Sequence, residues 1–201
     1  MKKRVLVVLV LVLGAVLFAG CGKTDKATTE EKEPEIDQIV DEPTVSADAL
    51  VVYFSYTGNT KAIALEIAEL TGADVYEIKA KDPYTEADTQ YDEDTRAYKE
   101  QHDPDARPEI DGELPDVSGY NTVYLGYPIW HSEAPKIVYT FFESVDMNGK
   151  TIIPFCTSGG SPVGDSANHL HEFAPEANWK DGTRFELEVS KEEIAEWLKE
   201  D

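Results

Sequence analysis

The chain has 201 residues, of which 41% are hydrophobic, so it is long enough for one domain with a full core. Its 40 acidic residues outnumber the 18 basic residues, and the formal net charge is −22 at pH 7. A chain this acidic repels phosphates, so we expect no nucleic acid among its partners.

The first segment has the pattern of a secretory signal. Lys2, Lys3 and Arg4 precede an unbroken apolar run over residues 5–19, which is short for a membrane span. The run ends in Phe18-Ala19-Gly20-Cys21, which resembles the lipobox of bacterial lipoproteins, with Phe18 where leucine is usual. The resemblance implies a signal peptide over residues 1–20 and a lipid on Cys21. The alternative is an uncleaved helical anchor. Either way we expect an extracytoplasmic protein attached to the cell membrane.

The next segment, residues 21–48, is predicted to be a disordered tether. Beyond Cys21 it is rich in Lys, Glu, Asp, Thr and Pro and poor in large apolar side chains. Such a segment buries too little surface to offset the entropy lost on ordering. A single domain is then expected over residues 49–201. Its one cysteine, Cys156, lies in an apolar run and is expected to be a small buried hydrophobe.

The remaining pattern alternates strands and helices. The predicted strands are Leu50–Phe54, Tyr76–Ala80, Thr122–Gly126, Thr151–Cys156 and Thr183–Val189. The predicted helices begin near Thr60 and end at Gly72, lie within Glu86–Gln101, begin at Ala134-Pro135, and follow a capping box at Ser190–Glu193, with a weaker helical region over Ser166–Phe173. Pro154 is unexpected in an interior strand, because proline removes a ladder donor.

This alternation predicts an α/β fold built from βαβ units. Three of the strands are solidly apolar and two alternate, which is the pattern of three interior strands and two edges. We therefore expect a doubly wound, five-stranded parallel sheet of strand order 2-1-3-4-5.

The loop after the first strand concentrates hydrogen-bonding groups at the start of a helix. It reads Ser55-Tyr56-Thr57-Gly58-Asn59-Thr60. Hydroxyls, an amide and successive backbone N–H groups at a helix N-terminus make an anion site suited to a phosphate. The stretch has neither the Gly-Lys-Ser/Thr of a Walker A loop nor a G-x-G-x-x-G turn.

Two further loops are expected at the same edge of the sheet. One is aromatic, Tyr127-Pro128-Ile129-Trp130, and the other is rich in glycine, Thr157-Ser158-Gly159-Gly160. Aromatic groups can stack on a flat ring, and glycines let backbone N–H groups approach its polar edge. The three loops together predict a slot for a phosphorylated ring compound at the switch point of the sheet.

The motif Ser55-Tyr56-Thr57-Gly58-Asn59-Thr60 resembles the phosphate-binding loop of flavodoxins, and the likeness extends over residues 49–200. It implies FMN as cofactor. The residues implied to hold the phosphate are Ser55, Thr57, Gly58, Asn59 and Thr60, and those implied to line the isoalloxazine are Pro128, Ile129, Trp130, Ser158, Gly159 and Gly160. His131 stands where many members have a second aromatic residue, and residues 127–132 lack the glycine that long-known flavodoxins carry near the flavin.

The resemblance implies an electron-transfer flavoprotein, for which no catalytic side chain and no metal ligand is assigned. Its partner would be a redox protein or a small-molecule acceptor. One alternative is an FMN-dependent NAD(P)H or quinone reductase. Another is a lipoprotein binding module that has lost its flavin.

Overall fold

The computed structural model describes residues 48–200. The predicted signal segment, Cys21 and the predicted tether up to residue 47 lie outside the described residues. No helix within residues 48–200 has the length and apolar composition needed to cross a membrane.

The domain contains six strands and four α-helices within the described residues. The strands are β1 (Ala49–Phe54), β2 (Asp74–Ile78), β3 (Thr122–Pro128), β4 (Thr151–Thr157), β5 (Asn178–Trp179) and β6 (Thr183–Phe185). The helices are α1 (Asn59–Thr71), α2 (Arg96–His102), α3 (Lys136–Ser144) and α4 (Lys191–Trp197), with two 3₁₀ segments at Ala87–Thr89 and Asn168–Phe173.

All strand pairs named here are parallel, and the sheet order is β2-β1-β3-β4-β5, with β6 also paired to β4. The predicted doubly wound order is therefore confirmed. Apolar clusters cover both faces of the sheet. Val52 and Leu125 belong to the cluster that includes α3, whereas Val51 and Phe155 belong to the cluster that includes α1 and α4. This two-sided burial explains why β1 and β4 read as continuous apolar runs.

Pro154 explains why two short strands share the fifth position of the sheet. Lys180 N–H donates to the Ile152 carbonyl on the β5 side of β4, and Thr151 N–H donates to the Asn121 carbonyl on the β3 side. Because the bonding direction alternates along a strand, Pro154 faces the fifth position, where it has no N–H to offer. The edge strand is interrupted there, between β5 and β6. The proline thus sits in an interior strand without costing a ladder bond to β3.

Two sequence predictions were wrong in extent. The strand predicted to reach Val189 ends at Phe185, because Phe185 pairs with Thr157, the last residue of β4, and nothing remains beyond it to pair with. The helix predicted within Glu86–Gln101 is instead a 3₁₀ segment and the short α2. Thr95 caps α2 by accepting from the Tyr98 amide, and the Asp92 carboxylate accepts from the Asp94 amide. Local bonds of this kind compete with helix formation.

Candidate functional site

The β1–α1 loop is arranged so that its hydroxyls keep their hydrogens free. Gly58 adopts the left-handed conformation, with φ of 93°, and its amide donates to Ser55 Oγ at 3.2 Å. Asn59 Nδ2 donates to Thr57 Oγ1 at 3.0 Å. Because each hydroxyl oxygen accepts a bond from nitrogen, its own O–H remains available as a donor. Ser55 and Thr57 therefore each keep a hydrogen that can be donated to an external group.

The start of α1 adds backbone donors to the same place. The first backbone bond of this helix runs from the Ala62 amide to the Gly58 carbonyl at 2.9 Å. The amides of Asn59, Thr60 and Lys61 precede it and have no partner inside the helix. The helix dipole adds partial positive charge at this end. The loop and the helix start together form a donor-rich segment suited to an anion.

Thr157 joins the three loops that the sequence placed at this edge. Thr60 and Thr157 are both buried, and their hydroxyl oxygens lie 2.8 Å apart. The Thr157 carbonyl accepts from the Ile129 amide at 2.9 Å. The end of β4 is thus tied to the β1–α1 loop through a side chain and to the loop after β3 through its backbone. Two hydroxyls that share one bond use one hydrogen, which leaves the second hydrogen to donate elsewhere.

Trp130 is held in a fixed plane rather than lying loose on the surface. It makes T-shaped contacts with Phe54, at 5.4 Å between ring centroids, and with Tyr84, at 4.9 Å.

Tyr127, three residues before Trp130, is fully buried, and its hydroxyl lies 3.0 Å from Ser166 Oγ. Burial raises the pKa of the Tyr127 phenol. The structure therefore gives Tyr127 a place in the core beneath the loop.

The loop after β3 ends in a tight turn with two residues in the left-handed region. His131 has φ of 50° and Ser132 has φ of 69°, and the flanking Trp130 and Glu133 exchange both backbone hydrogen bonds. Positive φ at both central positions is the pattern of a type I′ hairpin turn, where Asn-Gly is preferred. The sequence offers no glycine here, so the turn carries backbone strain next to Trp130.

His131 gives the stability of the domain a pH dependence. Burial and the neighbouring His102 lower the pKa of His131, which also contacts the rings of Tyr91 and Tyr98. The unfolded chain therefore binds more protons below a pH of about 6.5, and stability falls as pH drops through that range.

We expect the His131→Asn variant, which suits positive φ and cannot titrate, to lose less stability between pH 7.5 and pH 5 than the wild type. Urea unfolding at the two pH values measures the difference. Identical pH profiles for the two proteins would contradict this assignment. His171, whose pKa burial also lowers, accounts for part of the residual dependence in the variant.

The loop after β4 leaves open space at its two glycines. A Cβ atom on either Gly159 or Gly160 would meet nothing within 4 Å, and neither residue needs positive φ. Ser158 Oγ donates to the Ser161 carbonyl, and the Ser158 carbonyl accepts from Arg184 at 3.3 Å. The hydrogen bonds of Ser158 thus fix the loop, while the two glycines border open space. The two exposed glycines therefore leave room for a group from outside the domain to approach the backbone of this loop.

Two cavities border the loops after β1 and β3, and the lining of neither includes residues 57–60 or 157–160. One of about 310 Å³ includes Phe54, Ser55 and Tyr56 at the end of β1 and reaches Tyr84. A small one of about 50 Å³ includes Ile129, Trp130 and His131. Members of the β1 loop and the β3 loop therefore border open space.

Sequence reasoning missed the aromatic residues that the segment before β3 brings to this edge. Tyr84 packs on Trp130, while Tyr91 and Tyr98 contact His131. Tyr91 is 90% exposed and the small cavity beside Trp130 includes it. The only signal was tyrosine recurring at every seventh position of a polar stretch, and nothing in that spacing says which loop the tyrosines cover.

Cys156 has the structural role expected from the sequence. It is fully buried in the apolar cluster, and burial raises the pKa of its thiol to about 12. A thiol with so high a pKa is not a nucleophile at neutral pH.

Comparison with known proteins agrees with this fold. The family profile described as flavodoxin matches residues 48–201. A Bacteroides uniformis protein, named provisionally as a flavoprotein, is 38% identical with a TM-score of 0.72, and the match covers 76% of this chain and 98% of that one. A Bacteroides eggerthii protein with the same provisional name is 39% identical with a TM-score of 0.71, covering 77% and 97%.

A more distant structure, a Lactobacillus acidophilus flavoprotein in complex with FMN, is 21% identical with a TM-score of 0.56, over 76% of this chain and 99% of that one. No curated protein sequence matches the chain. The profile covers more than half of the chain, and the Bacteroides structures are matched over almost their whole length at well above 30% identity. Together with the sheet order, these matches show that the chain belongs to the flavodoxin family.

Proposed function

We propose that this protein is an FMN-binding electron-transfer flavoprotein tethered to the outer face of a membrane. The observation that carries the proposal is the β1–α1 loop, in which Ser55 and Thr57 have free O–H donors beside the first amides of α1, which have no partner inside that helix. The Lactobacillus flavoprotein was crystallised with FMN. The resemblance of the loop to flavodoxin phosphate loops supports the same cofactor here.

The phosphate end of FMN fits the residues of this loop. A phosphate dianion needs several donors and no carboxylate among them. Ser55 and Thr57 supply hydroxyl hydrogens, and Asn59 supplies its backbone N–H and the second hydrogen of its side-chain amide. Gly58 spends its own N–H on Ser55 and contributes the left-handed turn, with Tyr56 between the two hydroxyl residues. Thr60 is buried against Thr157, so it supports the loop and can contribute the one hydrogen that the pair leaves over.

The ring end of FMN fits the other two loops. Trp130, fixed by Phe54 and Tyr84, and its neighbours Pro128 and Ile129 supply apolar surface for a flat ring. On the other side, Ser158, Gly159 and Gly160 offer backbone with open space in front of it. Tyr127 is fully buried and bonds with Ser166, so it supports the loop from the core instead of contacting the ring. Bound FMN supplies the redox chemistry, while the protein residues bind it, orient it and limit its contact with water.

The charge of the chain indicates the kind of partner. With a net charge of −22, its field attracts a basic protein and repels an acidic one, and such steering weakens as salt is raised. A basic redox protein is therefore the partner we propose, with a small-molecule acceptor as the alternative. An association rate that does not change with ionic strength would count against the protein partner.

The absorbance spectrum of the purified full-length chain tests the cofactor. We expect visible flavin bands that bleach on chemical reduction, and FMN as the only flavin released on denaturation. A colourless protein that does not take up added FMN would show a binding module without flavin. Rapid oxidation of NADH or NADPH by the flavin-loaded protein would show a reductase instead of a carrier.

The membrane tether is a separate proposal that rests on Cys21. The charged start, the short apolar run and the lipobox-like Phe18-Ala19-Gly20-Cys21 support it. We expect wild type in the membrane fraction with a mass that includes a lipid, and the Cys21→Ser variant without that mass increment. An unmodified, full-length wild-type mass would point to the uncleaved anchor.

A further inference from the structure

A third cavity, with a volume of about 470 Å³, is lined by residues of α2, α3 and the 3₁₀ segment after β4, together with Glu133 at the end of the turn after β3. This volume is within the range of small-molecule sites. Its wall includes the polar and aromatic side chains of Gln101, Arg107, Glu133, Lys136, Tyr139 and His169.

The ammonium group of Lys136 lacks a charged partner among the described residues that line this cavity. Its residue is only 8% exposed, yet within residues 48–200 its ammonium has no hydrogen-bond acceptor and no carboxylate partner. Its contact there is the ring of Tyr139, whose centroid lies 4.4 Å from Nζ. A cation–π contact offsets only part of the cost of a charge that lacks a counter-ion. The Lys136 side chain is largely buried but its ammonium remains accessible from the open cavity, where it is placed to meet an anion.

Arg107 places a second cation beside the same ring. Its guanidinium carbon lies 5.7 Å from the centroid of the Tyr139 ring, and its Nε is buried without a hydrogen-bond partner in the described part of the chain. Its other nitrogens are occupied by the Glu143 carboxylate and by the carbonyls of Pro104 and Ala106. Two cations thus approach one aromatic ring in an acidic protein, and no carboxylate bridges them.

The cavity also has an acidic side. Glu133 Oε2 accepts from the Tyr139 hydroxyl at 3.4 Å and lies 2.7 Å from His169 Nδ1. Glu172 is a further carboxylate of the lining. Burial and Glu133 raise the pKa of the Tyr139 phenol, so it stays a donor at neutral pH. The ring of Tyr139 therefore contacts Lys136 and Arg107, and its hydroxyl contacts Glu133. The positive and negative groups of the cavity are thus separated along this side chain.

Gln101 holds this arrangement rigid. Its amide nitrogen donates to the carbonyls of Trp130 and Ala134, at 3.2 and 3.0 Å, and its amide oxygen accepts from the Lys136 backbone at 2.9 Å. One side chain thus fixes the start of α3 against the turn after β3. A wall fixed before binding lowers the ordering cost of taking up a ligand.

We propose that this cavity binds a small organic carboxylate that carries a neighbouring hydroxyl or amino donor, as 2-hydroxy and 2-amino acids do. The ligand carboxylate pairs with the Lys136 ammonium, the nearby Arg107 guanidinium adds positive charge, and the ligand's donor group meets the Glu133 and Glu172 side. The site goes beyond the proposed flavin function, because none of the residues assigned to FMN is among those of the cavity.

The test is calorimetric titration of the full-length chain, at constant ionic strength, with four probes. L-phenyllactate and L-phenylalanine carry the carboxylate and the donor, 3-phenylpropionate lacks the donor, and inorganic phosphate is the anion control. We expect at least one of the first two to bind more tightly than 3-phenylpropionate and phosphate. We expect Lys136→Met to weaken that binding at least tenfold. The control Lys199→Met, which changes an exposed lysine two residues after α4, should leave it unchanged.

A second measurement on the wild type covers the case in which Lys136→Met fails to fold. The bound acid should protect Lys136 from an amine-reactive reagent, as read by mass spectrometry, while Lys199 is modified equally with and without it. Binding of phosphate alone, equal binding by Lys136→Met, or no protection of Lys136 would each overturn the proposal. The flavin spectrum of Lys136→Met is expected to match the wild type, so failure of this proposal and failure of the flavin proposal are distinguishable.

Discussion

The double variant Ser55→Ala/Thr57→Ala is expected to bind FMN roughly 100-fold or more weakly than the wild type. Both hydroxyl oxygens accept bonds within the loop, so their hydrogens are free for a phosphate. A hydrogen bond to a charged group contributes about 1.5–3 kcal/mol, and about 1.4 kcal/mol is tenfold in affinity. Riboflavin lacks the phosphate, so its affinity should change little. Fluorescence titration of the flavin-free protein with each flavin measures both effects.

The control for this experiment removes two hydroxyls elsewhere. Ser118→Ala/Ser144→Ala changes two exposed serines, one before β3 and one at the end of α3, and should bind both flavins as the wild type does. Equal weakening of FMN and riboflavin by the loop variant would mean that the hydroxyls act by shaping the loop. Unchanged FMN affinity would place the phosphate at another part of the protein.

Thr60 is left intact in that design because the structure corrects a simple sequence argument. From the sequence, Thr57 and Thr60 are equivalent hydroxyls of one loop. In the structure Thr60 is 1% exposed and bonds with Thr157, 97 positions later in the chain. Truncation of Thr60 would disturb the junction between two loops as well as any ligand contact, so its effect could not be assigned.

The strand order was predictable because it depends on patterns that are local in sequence. Continuous apolar runs mark β1, β3 and β4 as interior strands, and helices between them impose parallel pairing. The same holds for the phosphate-type loop, whose donors are contiguous from Ser55 to Thr60. These features are encoded within a few residues, so one sequence is enough to read them.

Features that depend on long-range partners were not predictable. The end of β6 is set by the end of β4, since Phe185 pairs with Thr157. Likewise, Tyr84 covers Trp130 from 46 positions earlier in the chain, across a segment whose composition predicts only exposure. The contact between Lys136 and Tyr139 was not predictable either. A lysine at the start of an amphipathic helix is expected to be exposed, and its burial depends on the neighbouring 3₁₀ segment, which is distant in sequence.

The Gly126→Ala variant is expected to cause the largest loss of stability among the changes considered. A Cβ on Gly126 would lie 2.3 Å from Cζ of Phe155, a fully buried ring that crosses β3 at this point. Phe155 cannot move freely, because the rings of Phe185 and Trp197 pack against it. Overpacking of a rigid core costs about 1–3 kcal/mol, and we expect the upper end, measured as a lower free energy of unfolding in urea.

Two companion variants separate overpacking from a general effect of replacing glycine. Gly119→Ala adds a Cβ that meets nothing within 4 Å, so its stability should stay within about 0.5 kcal/mol of the wild type. In Gly126→Ala/Phe155→Leu the smaller side chain makes room for the methyl group. The double variant should therefore be more stable than the sum of the single changes predicts, by about 1 kcal/mol or more. Strictly additive losses would contradict a direct clash. The pair of Gly126 and Phe155 lies close to the ends of β3 and β4, where Ile129 bonds to Thr157 at the candidate site. Relief of the clash should therefore also restore any FMN affinity that the single variant loses.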